Sequence, residues 1–386
     1  MIAYNNEWLK NSATREDATE LYQDECITKA ELSLIETKFP VSFYTPNFFI
    51  RIGLFILTII VLTFSFGLIS LFFMDGMDRA LSVMAIFFGT ISYFGLEYMV
   101  KTKNHYRSGT DDALLWSAAG LFFSGLSYGV NAGPIANCVI ACLISIYCVI
   151  RFTNRVMVAI AYMSLLGIFF FVALRFGIYG KILAPFILMA LSAVIYLVAE
   201  KLRSRERFPL YQGCLQITRI CSLIGLYFSG NYFIVRELSN AMFDMNLPGN
   251  QGIPYGWVFW TFTCSIPLLY LLKGILKKDV ILMRVGIALV AAIIFTIKCY
   301  YFIGSIEMIM TVGGIMLVAI SYLLSIYLKK PRLGFTSLNK RFEEGAEKIT
   351  VESLVVAETF STPAPIAEVT TFGGGSFGGA GSSGQF

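Results

Sequence analysis

The sequence predicts an all-α fold, a polytopic bundle of about ten transmembrane helices, on three observations. Hydrophobic residues make up 56% of the chain and charged residues only 14%, against roughly 25% charged in soluble domains. Mean hydropathy is +0.70. The apolar residues fall in blocks about 17 to 26 long, enough to cross a roughly 30 Å hydrocarbon layer at about 1.5 Å per residue. Lipid offers backbone amides no partner, so continuous blocks of this length must be helices. A β-barrel would instead show strands of about ten alternating residues.

Ten blocks follow in order, at about 48–73, 80–99, 113–130, 135–150, 156–174, 180–199, 213–235, 255–272, 280–297 and 303–328. Lysine and arginine orient them. With the N-terminus in the cytoplasm, about 22 of the 30 basic residues fall in cytoplasmic loops and tails, and about five (Arg79, Arg175, Lys181, Arg236, Lys298) fall outside. Arg51, Arg219 and Arg284 lie within blocks. Both termini are then cytoplasmic. Trp116 at the inner boundary and Tyr255, Trp257 and Trp260 at the outer one suit an aromatic belt. The net charge of +5 is spread over short loops, a topology pattern rather than a nucleic-acid one, so no nucleic acid is expected as a partner.

The threading divides the chain into a cytoplasmic acidic helical segment (1–47), a transmembrane domain (48–328) and a cytoplasmic tail (329–386). No cleavable signal opens the chain, which makes the first block an uncleaved anchor. In the N-terminal segment, Thr28 and Glu31 have the spacing of a capping box, with Ile27 and Leu32 as its staple and Pro40 closing the helix. Thr14 and Asp17 have the pattern of an earlier cap. Two helices this short bury little surface. The pair either packs on the membrane domain or a partner, or it is a solvated tail. The C-terminal "TTFGGGSFGGAGSSGQF" cannot offset its ordering entropy by burial and is expected to be disordered. Phe386 and its carboxylate could dock in a cytoplasmic protein partner, and 349–360 could add to a sheet edge.

With "ITKAELSLIETKFPVSFYTPN" ahead of a train of eight or more spans and a glycine-rich ending, the chain resembles bacterial multi-pass "predicted membrane protein" families. The resemblance implies a bacterial inner membrane and no activity.

Few residues offer chemistry. The stretch "HYRSGTDDALLW" (105–116) holds the single histidine. Ser108-Gly109 reads as a turn, Thr110 as an N-cap, and Asp111 and Asp112 as first-turn acids favoured by the helix dipole. Alternatively His105, Asp111 and Asp112 mark a cytoplasmic entry for protons or cations. Glu97, Arg219 and Glu307 lie inside blocks, where an unpaired charge costs roughly 2.5–3.5 kcal/mol or more, and are candidates for a substrate or proton pathway. Their structural alternatives are pairs: Glu97 with Lys101 or Arg219, and Glu307 with Lys298. Gly125-x-x-x-Gly129 and Gly313-Gly314 predict close helix packing. The fourth blocks of the two halves are both short, as in inverted-repeat carriers. The eight cysteines read as packing residues, and no metal site or cofactor is expected.

Two functions therefore stand. The span count favours a small-solute carrier. The elaborated ends favour a non-transporting scaffold or sensor. An enzyme lacks any nucleophile or dicarboxylate constellation. Oligomeric state is not set by the sequence.

Overall fold

Two short helices precede the apolar blocks. α1 (Asn6–Gln23) begins where Asn5 Oδ1 accepts from the amides of Glu7 and Trp8 (2.9 and 3.3 Å), so the start expected at Thr14 is wrong. Thr14 is interior, its hydroxyl donating to the Lys10 carbonyl at 3.1 Å. In α2 (Lys29–Lys38) the expected capping box forms: the Glu31 amide donates to Thr28 Oγ1 (3.3 Å) and the Thr28 amide to Glu31 Oε2 (2.7 Å). The Thr28 amide, and the Thr28 hydroxyl donating to the same Oε2 at 2.9 Å, hold the Glu31 carboxyl below its usual range.

The computed structural model describes residues 2–23, 26–71, 77–203, 208–243 and 255–300, with isolated positions between 311 and 326. It is helical throughout, and among the described residues only a single bridge, Tyr44 with His105, has strand character. The membrane domain runs through α3 (Phe48–Ser70), α4 (Met77–Lys101), α5 (Thr110–Gly129), α6 (Pro134–Phe152), α7 (Arg155–Arg175), α8 (Gly177–Arg203), α9 (Gln212–Gly230), α10 (Tyr232–Phe243), α11 (Gly256–Lys277) and α12 (Val280–Tyr300). Seven of them, α3, α4 from Leu81, α6, α7, α8, α11 and α12, are long and apolar enough to cross a bilayer. Most of the tenth block, Glu307 and Gly313 included, lies outside the described residues, as does the tail.

α5 and α9 have spanning length, 20 and 19 residues, but carry more polar groups. Their place in the bundle explains this. α9 packs against α7, α8, α10, α11 and α12, and buries Arg219, Ser222 and Tyr227. α3 is the opposite case: none of its residues is buried, and Phe64 and Leu68 face outward. A helix facing lipid must be apolar around its circumference, whereas one surrounded by helices can carry polar groups that find partners. The seventh block, expected to run unbroken over 213–235, breaks at Asn231. Asn231 Oδ1 accepts from the Phe233 and Ile234 amides (3.0 and 3.3 Å) and so starts α10. Its Nδ2 donates to Tyr227 Oη and Thr296 Oγ1 (2.9 and 3.0 Å).

Consecutive helices pair as hairpins: α4 with α5, α6 with α7, α8 with α9, and α11 with α12. The first closes on Gly125, where an added Cβ would lie 2.7 Å from Ile86 Cγ1 and 2.9 Å from the Ser82 carbonyl. Gly129 is looser, with its nearest atom at 3.7 Å. The close approach expected at Gly313-Gly314 falls in a stretch that lies mostly outside the described residues. A junction that the sequence reading did not pick out lies at Gly225, where Tyr162 Oη would sit 1.9 Å from an added Cβ while Tyr162 bonds Ser192 at 2.8 Å. Three helices, α7, α8 and α9, meet there.

Candidate functional site

One group of polar side chains gathers at the end of the bundle on which α1 sits. The segment from 104 to 109 turns sharply, with Asn104, Arg107 and Gly109 all at positive φ (55°, 50° and 91°). Gly109 is required twice over, by its φ and because a Cβ would lie 2.1 Å from the Arg51 carbonyl of α3. Gly109, not Thr110, is the N-cap of α5, and it provides no side-chain bond. Asp111 does the capping work from inside the first turn. Its Oδ2 accepts from the Arg107 amide (2.8 Å), and its Oδ1 from the amide and hydroxyl of Ser108 (2.9 and 3.0 Å). The carboxylate is 2% exposed.

His105 joins the same turn, its Nδ1 2.8 Å from Ser108 Oγ and its ring 4.8 Å from that of Tyr44. Burial pushes the imidazole below its ordinary range, with nearby Lys103 acting the same way and Asp111 opposing. Asp112 points elsewhere. Its Oδ2 receives Arg51 Nη2 at 2.6 Å and its Oδ1 receives Asn154 Nδ2 at 3.0 Å, joining α3, α5 and the start of α7.

The N-terminal segment packs on this end. Ala3 N donates to the Arg151 carbonyl (2.9 Å), and the buried Tyr4 ring meets Tyr106, Phe43 and Phe152 at 5.1, 6.3 and 6.4 Å. Tyr4 also walls a cavity of about 440 Å³ that Arg51, Arg107, Asp111, Asp112, Trp116 and Arg155 help to line.

Two further ion clusters join the helices. In the first, Glu97 accepts from Arg151 Nε and Nη2 (2.9 and 2.8 Å), from Tyr93 Oη (2.9 Å) and from Lys101 Nζ (2.6 Å). The expected Lys101 pair is present. In the second, Arg219 is fully buried, its Nε 2.6 Å from Glu200 and its Nη2 bonded to Asp279, with the Tyr196 ring 5.9 Å away. Asp279 also caps α12 by accepting from the Ile281 amide at 3.0 Å. Burial alone would raise its pKa, but Arg219 and the Ile281 and Leu282 amides outweigh that and hold it below the usual carboxylate range.

The expected Glu97–Arg219 pair therefore does not form, because each charge is consumed by partners on its own side of the bundle. The sequence reading missed Glu200, Asp279, Arg155 and Asn154 as participants. Asp279 and Asn154 had a legible signal, a capping residue directly before or one short of an apolar block. Their cross-helix partners had none.

This architecture defines an all-helical integral membrane protein in contact with the bilayer. No family model matches the chain, and neither a comparison with curated proteins nor one with solved structures finds a relative.

Proposed function

We propose that the chain is a ten-span protein of a bacterial inner membrane, with both termini cytoplasmic, that acts as a scaffold or sensor. The burial and pairing of Arg219 is the observation that carries the reading. A carrier for a hydrated solute needs a polar pathway with charges free to meet the solute as it opens to each side in turn. Arg219, the charge expected to line it, is fully buried and gripped by Glu200 and Asp279. Such a clamp fastens helices together. The docked N-terminal segment gives the membrane domain a cytoplasmic surface through which its state can be read.

Contacts between loops support the span count. Tyr4 meets the α4–α5 turn and Ala3 the end of α6. Tyr211 Oη donates to the Ile150 carbonyl at 2.8 Å, tying the entry to α9 to the same end. Arg219 brings in the α11–α12 turn. For the chain to return to this end after each pair of helices, α5 and α9 must cross along with the seven more apolar helices. The block at 303–328 makes ten.

Native thiols test both parts. Cys26 is exposed in the N-terminal segment, Cys142 is buried in α6, and Cys221 follows Arg219 by two residues. Membrane vesicles treated with a membrane-impermeant thiol reagent and read by peptide mass spectrometry should show Cys26 modified only when inside-out. Cys142 and Cys221 should stay unmodified in both orientations. Modification of Cys221 from either side would revive the carrier.

A further inference from the structure

The cavity beneath Tyr4 does not end at its polar mouth. Trp116 and Val156, which line it, also line a second cleft of about 410 Å³ that runs on between α5, α6 and α7 past Phe123, Ala141 and Ile144. The two cavities adjoin at Trp116 and Val156, the first with a charged lining at the end of the bundle and the second largely apolar between the helices. Trp116 stands at the change of polarity, its ring 5.2 Å from that of Phe55.

The sign of the mouth follows from the charged side chains that line it, and its hydrogen bonds show which acceptors are already taken. Both oxygens of Asp111 are occupied by Arg107 and Ser108, and both of Asp112 by Arg51 and Asn154. Asn154 Oδ1 is taken by the Val156 and Met157 amides (3.0 and 3.2 Å). Arg155 is exposed, and among the described residues no carboxylate lies within ion-pair distance of it. The Arg51 side chain keeps 40% of its surface open while bound to Asp112. Three arginines (Arg51, Arg107, Arg155) face two aspartates in this lining, which leaves one net positive charge at the mouth, where a headgroup would lie.

We propose that this cleft binds one anionic phospholipid from the leaflet on the N-terminal side, its phosphate held by Arg155 and Arg51 and one acyl chain in the channel beyond Trp116. A basic pocket between helices at the cytoplasmic interface is the usual setting for such recognition. The inference rests on the sensor reading in one respect: Tyr4 forms part of the wall, so an occupied cleft would tighten the docking of α1.

The test uses the full-length protein, delipidated in detergent and followed by native mass spectrometry. Phosphatidylglycerol should bind with one equivalent, at least about tenfold tighter than phosphatidylcholine of the same chains. Arg155→Gln should weaken it about five- to tenfold, as loss of one interfacial charge does. Arg203→Gln, a basic residue at the end of α8, should leave it unchanged. Equal affinity for the two lipids, insensitivity to Arg155→Gln, or full competition by millimolar inorganic phosphate would overturn the proposal. Because Arg155 is exposed and has no ion pair among the described residues, its variant should fold, which an unchanged melting curve would verify. Hydrogen exchange over residues 6–23 separates the two ideas: selective lipid binding without added protection there upholds the lipid site and removes the sensor.

Discussion

Arg219 is the residue where physical chemistry constrains this protein most tightly. A guanidinium with no exposed surface must be paired, and here Glu200 and Asp279 share it. Removing it leaves two carboxylates together with no cation between them. Arg219→Gln should destabilise the protein by about 3 kcal/mol, seen as a lower melting midpoint in detergent. An unchanged midpoint would mean that the clamp is not structural. The clamp should also show in acid. The folded-state pKa of Asp279 is depressed, so its contribution is complete above the unfolded value of about 3.9 and is lost as pH falls through the folded one. Arg219→Gln should flatten that acid limb. His105 behaves in the opposite chemical sense. Its pKa is lowered by burial, so the neutral ring fits the folded turn; stability is full above about pH 6.5 and declines on acidification below it. As the chain holds a single histidine, one C2 proton signal reports the titration, with an expected midpoint below about 6.5.

At the scale of elements, the α4–α5 hairpin offers a paired comparison. Gly125→Ala places a methyl 2.9 Å from the Ser82 carbonyl, a backbone atom that cannot swing aside, and should cost about 1–3 kcal/mol of stability. Gly129→Ala, one turn on, meets ordinary contact at 3.7 Å and should be close to neutral. Equal melting points for the two variants would show that the hairpin does not depend on that approach. The spacing of these glycines was legible because small residues at i and i+4 share a helix face. That Gly125 alone is crowded was not, since it depends on where Ser82 and Ile86 of the facing helix fall. Gly225 shows the same limit, being crowded by Tyr162, 63 positions away in sequence. Caps divide in the same way. The Thr28–Glu31 box could be read from four residues, whereas the cap expected at Thr14 failed because Asn5 starts the helix earlier and Thr14 is absorbed into its interior.

At the scale of the molecule, the N-terminal segment and the loops at its end behave as one polar layer. Tyr4 meets two loops, Arg51 and Asn154 meet at Asp112, and Arg107 reaches Glu16 of α1 at 3.5 Å. This layer buries Leu9 and Ala18 of α1, whereas α2, which packs on α1, has no buried residue. Through Tyr4 it also forms part of the wall of the cavity, which is why the lipid proposal and the docking of α1 are tested in one experiment.

Composition and block length by themselves determined that lipid surrounds most of this chain and that its segments are helical, because both follow from the cost of exposing polar groups to hydrocarbon, a property of each segment alone. The tertiary structure alone decided which charges meet: Glu97 with Arg151, Arg219 with Glu200 and Asp279, Arg51 with Asp112. Pairing depends on which helices are neighbours and how each is rotated, and neither is encoded in the spacing of residues along a single helix.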